Sequence, residues 1–264
     1  MDLNKDLYQK EKLEQKPTRD GYGEGLVELG KKDKNIVVLC ADLTNSTRSG
    51  WFRDEFPERF IEVGIAEQNM LGIATGLALQ GKIPFISTYS VFSPGLNWCQ
   101  LRLGAYGQAN IKVTGAHAGV SVGADGATHQ GLEDIATVRC IPGMTVLAPC
   151  DYLETKKATI AAAEMKGPVY LRFAREATPV FTTKGTPFKL GRAEVFRKGG
   201  DATIIACGPT VHEALLAADD LEKDGLSVGV INNHTVKPLD EETIIEAAER
   251  TGAVVTAEDH QVMG

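Results

Sequence analysis

One loop concentrates the chemistry of this chain. From His117 to His129 the sequence runs H-A-G-V-S-V-G-A-D-G-A-T-H, which puts two imidazoles and the Asp125 carboxylate on a single glycine-rich stretch after an apolar run. Imidazole and carboxylate groups so placed can move protons, bind hydroxyls or ligate a metal. A catalytic zinc would need three ligands, but the spacing matches no established metal signature and no cysteine adjoins it, so no metal ligand is assigned. Gly119–Gly123 reads G-V-S-V-G, the form of a hydrolase nucleophile elbow. That elbow needs a helix directly after the serine; here more glycines and Asp125 follow, so Ser121 reads as a small loop residue. On local sequence alone, a surface loop with two solvent-facing histidines stays an open alternative.

The second candidate is Glu67, which opens the apolar helical run Gln68–Gln80. Negative charge in a first helical turn complements the macrodipole by roughly 0.3–1 kcal/mol, and that alone could account for it. Its helix is otherwise small and apolar, with Gly72, Ala74, Gly76 and Ala78 leaving room for another backbone to pack closely. A carboxylate leading such a helix is expected to be buried and to need a specific partner, which a bound ligand could supply.

These residues require a scaffold, and the sequence supplies one. Short β-rich runs at 35–43, 60–64, 83–89, 111–117, 144–150 and 168–174 alternate with helical patterns at 67–81, 94–108, 131–140 and 151–167. The alternation predicts an α/β fold with a doubly wound, mainly parallel sheet, whose strand ends present ligand-binding loops. A Thr, Pro and Gly stretch follows, and the pattern then restarts with strands at 202–207, 227–233 and 253–259 and helices at 209–223 and 240–251. The expected organisation is a first α/β domain at 1–180, a linker at 181–190 and a smaller α/β domain at 191–264. Because the chain stops just after a strand with no covering helix, the second domain is expected to be incomplete.

Composition excludes several classes. The chain has 264 residues and a net charge of −7, without a dense basic run, so nucleic-acid binding is not expected. No apolar run is long enough to span a bilayer, and the charged first residues carry no secretory signal, so a cytoplasmic location is the default. Five scattered cysteines without a CxxC pair read as reduced thiols. Neither GxGxxG after the first strand nor a P-loop motif occurs, leaving NAD and P-loop ATP binding unsupported. The 28 glycines ask for tight turns or close backbone approaches.

ADLTNST (41–47), VGIAEQNMLGIATGLALQG (63–81), STYSVF (87–92), HAGVSVGADGATHQGLED (117–134) and TVKPLD (235–240) together resemble the second half of transketolase, a thiamine diphosphate enzyme. The resemblance runs from about Pro17 to the last residue. It implies a pyrimidine-binding domain followed by a transketolase C-terminal-type domain. The family's first half, which holds the diphosphate and Mg2+ through a GDG motif and a downstream Asn, has no counterpart; Gly123-Ala-Asp125-Gly126 is not that motif. The resemblance therefore implies an N-terminal partner subunit carrying that site, an α2β2 assembly, and transfer of a two-carbon ketol unit from a ketose phosphate to an aldose phosphate.

Residue by residue, the resemblance makes Glu67 the carboxylate that hydrogen-bonds the aminopyrimidine ring nitrogen. Phe92 becomes the aromatic stacked on that ring and Tyr89 a neighbouring wall; read blandly, both are core aromatics. His117 and Asp125 become contacts to sugar hydroxyls, and His129 an active-site residue near the reacting carbons. Arg19 and Arg175 become the grip on a terminal phosphate. Cys40 and Ala148 depart from a phosphate-contacting serine and an arginine found in some members. An arginine stands at the Phe92 position, and another at the Ala118 position, in the similar 1-deoxyxylulose-5-phosphate synthases. The 2-oxo-acid dehydrogenase decarboxylating components resemble the 117–129 loop less well. A non-catalytic binding relative is the remaining alternative, opposed by the intact set of site residues.

Overall fold

The computed structural model describes residues 1–263. In chain order the elements are β1 (Gln15–Pro17), α1 (Thr18–Lys32), β2 (Ile36–Cys40), α2 (Gly50–Glu55), β3 (Phe60–Glu62), α3 (Glu67–Leu79), β4 (Ile83–Ser87), α4 (Trp98–Tyr106), β5 (Lys112–Gly115), α5 (Asp134–Arg139), β6 (Thr145–Leu147), α6 (Tyr152–Glu164), β7 (Val169–Arg172) and β8 (Ala177–Pro179). The second half adds β9 (Glu194–Arg197), β10 (Ala202–Ala206), α7 (Thr210–Lys223), β11 (Val228–Asn232), β12 (Thr235–Lys237), α8 (Glu241–Thr251) and β13 (Val254–Ala257).

The strand IVVLC is apolar at odd and even positions because both faces of its sheet are covered. Val37 and Leu39 pack with Met70, Leu71 and Leu101 on one side; Ile36 and Val38 pack with Leu26, Ala158 and Phe173 on the other. The seven-stranded sheet runs β12-β6-β7-β5-β4-β2-β3 and is parallel apart from the antiparallel edge pair β12–β6. A four-stranded sheet, β13-β10-β11-β9, forms the smaller unit, with β9 antiparallel to β11. The expected α/β class with a mainly parallel doubly wound sheet and a smaller α/β unit is what the chain adopts.

Two features depart from expectation. Helix α1 lay outside the periodic pattern because it carries Gly21, Gly23, Gly25 and Gly30. Those glycines serve contact: a Cβ at Gly21 would lie 2.2 Å from the Tyr152 carbonyl oxygen, and one at Gly25 2.8 Å from Thr159 Cβ, so α1 lies almost backbone to backbone on α6. The close approach expected for α3 is absent among the described residues, since Gly72 and Gly76 face open space. Contacts also run across the expected 181–190 boundary. Leu3, Leu7 and Leu13 pack with Phe196, Val211 and Leu215 of the smaller unit, β12 pairs with β6, and Phe181 and Thr182 are buried rather than loosely linking.

Candidate active site

Five adjacent parallel strands deliver the candidate residues along one edge. In the spatial order β7-β5-β4-β2-β3, the segments leaving the carboxyl ends carry Arg175, His117, Tyr89 with Phe92, Arg48, and Glu67. The crossover from β2 runs to β3 and the next returns to β4, on the other side of β2. The β2–β4 gap is thus a switch point of the kind where open α/β sheets bind ligands.

Four rings meet at this edge. Tyr89 stacks on His117 with centroids 3.9 Å apart and an interplanar angle of 24°. Phe92 lies nearly parallel to Tyr89 at 5.8 Å, and His129 stands edge-on to Phe92 at 5.6 Å and to Tyr89 at 6.0 Å. His129 is fixed through Nδ1, 2.9 Å from Thr128 Oγ1. His117 is 1% exposed, has φ +56°, and neither ring nitrogen has a hydrogen-bond partner. A non-glycine residue held in that backbone region costs about 1–3 kcal/mol, and strain of this kind clusters at functional sites. Burial, then the charges of Arg19 and Arg175, with His129 and Arg48 adding to them, push the His117 pKa down to about 3. Its imidazole is therefore neutral near pH 7, offering one donor and one acceptor to a hydroxyl-bearing ligand.

The cations beside it converge from three segments. Arg19 Nη1 donates to the Ser46 carbonyl at 2.9 Å, while its buried Nε has no partner. Burial and then Arg48 lower the Arg19 pKa, Asp20 opposes them, and Arg175 adds to the lowering. Arg175 Nε lies 3.7 Å from Asp125 Oδ2, and its Nη1 donates to the Val122 carbonyl and to Glu176 Oε1, each at 2.7 Å. Asp125 Oδ2 is buried and makes no hydrogen bond. Arg19 has no salt-bridge partner among the described residues, and a guanidinium fork matches phosphate oxygens.

Glu67 sits where α3 begins and is 5% exposed, and its carboxylate has no hydrogen bond among the described residues. Gln68 Nε2 donates to the Leu96 carbonyl at 3.1 Å, tying the start of α3 to the turn that follows Phe92. Glu67 leads a helix on the sheet edge that also carries the near-parallel Tyr89, Phe92 and His117 rings, and a carboxylate and flat rings on one edge suit the nitrogen edge and face of an aminopyrimidine. The residues present thus suit the pyrimidine end of thiamine diphosphate. Among the described residues, no group of three or more His, Cys, Asp or Glu converges as a metal site.

The sequence reading passed over several residues. Arg48, at φ +66° and bonded to Asp20 Oδ1 at 2.7 Å, joins the arginines; its signal was a cation directly after a polar ADLTNST turn. The Cys40 thiol instead bonds the Ser87 carbonyl at 3.3 Å inside the core, and Ala148 is buried with its N–H on the His234 carbonyl at 2.8 Å. Beneath the 117–132 loop, Arg172, Asp134 and Tyr170 form a buried network. Its signal was a charged residue inside the apolar strand PVYLRFA.

Residues 14–180 match the family described as "Transketolase, pyrimidine binding domain", and residues 191–264 match "Transketolase, C-terminal domain". The chain belongs to the transketolase family. A Methanocaldococcus jannaschii protein described as a transketolase C-terminal section is 48% identical over 252 residues, covering 94% of this chain and 79% of the relative. A 6-deoxy-6-sulfo-D-fructose transketolase subunit from a Clostridium species is 42% identical over 254 residues, covering 96% and 79%. A solved split-gene transketolase, described as an inactive beta4 tetramer, superposes with TM-score 0.88 at 44% identity, covering 94% and 82%. The chain is thus a C-terminal subunit of a split transketolase, a transketolase-type transferase. The synthase and dehydrogenase readings are not favoured.

Proposed function

We propose that this chain supplies the pyrimidine-binding and sugar-binding half of a thiamine diphosphate-dependent ketol transferase, completed by an N-terminal subunit that holds the diphosphate and Mg2+. The observation that carries the reading is that Glu67, 5% exposed and without a side-chain hydrogen bond among the described residues, lies on the same sheet edge as the Tyr89–Phe92–His117–His129 cluster. When bound, the cofactor supplies a nucleophilic carbon able to carry a two-carbon unit. Glu67 holds a proton at the pyrimidine ring nitrogen, Phe92 and Tyr89 bury the ring from water, and His117 and His129 bond the sugar hydroxyls. Asp125 reads the configuration of the hydroxyl beside the carbonyl, and Arg19 and Arg175 hold the terminal anion.

The exposed face around α3 and α4 suits the N-terminal subunit. Ile65 and Leu79 are 81% and 69% exposed, Leu103 and Tyr106 60% and 83%, and the bare Cα atoms of Gly72 and Gly76 lie between Ile65 and Leu79 in sequence. Exposed apolar side chains on neighbouring helices of this kind suit a protein interface. The assembly we propose is α2β2. Mixing the two purified subunits with thiamine diphosphate and Mg2+ should restore ketol transfer from a ketose phosphate, while this chain alone stays inert. Parallel donors ending in phosphate or in sulfonate identify the anion. A pair that binds cofactor but transfers no ketol unit from either donor class overturns the reading.

A further inference from the structure

Among the described residues the rings and arginines of the candidate site come from the larger unit, yet the segment after the smaller unit's last strand reaches it. Val120 N–H donates to Asp259 Oδ1 at 3.1 Å, just after β13. At Gly119, where φ is +86°, a Cβ would lie 1.6 Å from Asp259 Oδ2, so the carboxylate rests on bare backbone. Arg172 Nη2 grips the Asp259 carbonyl at 2.5 Å and the Gly131 carbonyl at 3.4 Å. Two residues on, Gln261 N–H donates to the Leu132 carbonyl at 2.9 Å, and His260 Nε2 accepts from Ala136 N–H at 3.4 Å. Both ends of the glycine-rich loop are therefore tied to the same short segment, and the loop is closed on itself by Gly119 N–H to the Gly131 carbonyl at 2.9 Å.

We propose that Asp259 is a positioning residue: its carboxylate clamps the Gly119–Val120 turn from the smaller unit and so sets where His117, Asp125 and His129 meet the sugar. The proposal rests on the reading that this loop binds the ketose. Asp259 touches no reacting atom in it; what it supplies is a fixed origin for a loop whose glycines would otherwise allow many paths. The clamp also explains why this position is glycine, since any side chain there would displace the carboxylate.

The test uses Asp259→Ala and Asp259→Asn. In the reconstituted pair, Asp259→Ala should raise the donor KM by about tenfold or more, the usual weight of one hydrogen bond to a charged group, with cofactor affinity unchanged. Asp259→Asn, which keeps an acceptor oxygen and the shape, should recover most of it. Amide hydrogen exchange in the full chain alone gives a reading free of activity: residues 118–122 should exchange about tenfold faster in Asp259→Ala and at the parental rate in Asp259→Asn. Unchanged exchange and KM in Asp259→Ala overturn the clamp, as does equal acceleration throughout the chain, which would make the residue merely structural. If the parental pair transfers no ketol unit, the functional reading fails while the exchange measurement still decides on the clamp.

Discussion

Two arginines leave the end of β7 on either side of Phe173–Ala174, and they have opposite surroundings. Arg172 and Asp134 are 4% and 1% exposed, with Arg172 Nε 3.1 Å from Asp134 Oδ2 and the Tyr170 hydroxyl donating to the same carboxylate at 2.9 Å. Arg175 and Asp125 are 26% and 28% exposed, stand 3.7 Å apart, and leave Asp125 Oδ2 without a hydrogen bond. The first pair is closed: its charges are spent on each other and on the loop carbonyls. The second, open pair is only partly filled: Arg175 Nη1 donates to Val122 and Glu176, while Asp125 Oδ2 accepts nothing. The same two residue types thus occur once with their hydrogen-bonding positions filled and once with some left free, and the second arrangement is the one suited to a ligand.

The sharpest way to divide the two regions is to remove one group from each. On the open side, Glu67→Ala should lower ketol transfer by the reconstituted pair by about 10²–10⁴-fold, the usual weight of positioned proton transfer, with the unfolding midpoint of the isolated chain unmoved. On the closed side, Arg172→Met should cost about 3–5 kcal/mol in denaturant unfolding, because it strands the Asp134 carboxylate in the core. Adding Asp134→Leu should return much of that loss, since two apolar groups replace a pair instead of breaking it. A large stability cost at Glu67, or none at Arg172, would collapse the distinction.

Acid should act on the open region through His117. Its folded pKa of about 3 lies below the ordinary histidine value of 6.5, so between those limits the unfolded chain binds the extra proton and stability falls as pH falls. The loss should begin near pH 6.5 and reach about 2 kcal/mol by pH 5. His117→Asn, which cannot take up a proton, should remove this part of the slope when unfolding is followed from pH 7 to 5. An unchanged slope would mean that burial, aided by the neighbouring arginines, does not hold the imidazole neutral.

The open region was the more legible in the sequence. Glu67, Tyr89, Phe92, His117, Asp125 and His129 stand in short ordered motifs near strand ends, where local pattern already limits where a side chain can go. The buried strands were legible for a related reason: apolar at every position, they state that both faces are covered. The closed network was not, because Arg172 and Asp134 gain meaning only from each other across a fold that brings distant segments together. Helix α1 was hidden by glycines whose purpose is contact with α6, and β12 by its pairing with a sheet that local pattern assigned to the other unit. What sequence conveyed was periodicity and motif; what it withheld was every contact made by folding back.

The smallest expected effect tests the open pair itself. Arg175→Lys keeps the charge but replaces the planar fork with a compact ammonium, so a terminal phosphate would lose its paired contact. In the reconstituted pair the KM for a phosphorylated donor should rise by about tenfold, the weight of roughly 1.4 kcal/mol, while a donor lacking the terminal anion should be used as before. The control is built into the geometry. Arg175 also donates to the Val122 carbonyl, so its other role is to pin the loop, and a loop defect would penalise both donors equally. Selective loss with the anionic donor assigns Arg175 to recognition, beside Arg19. Equal loss with both would move it to the supporting side with Arg172, and the contrast between the two arginines would then rest on exposure alone.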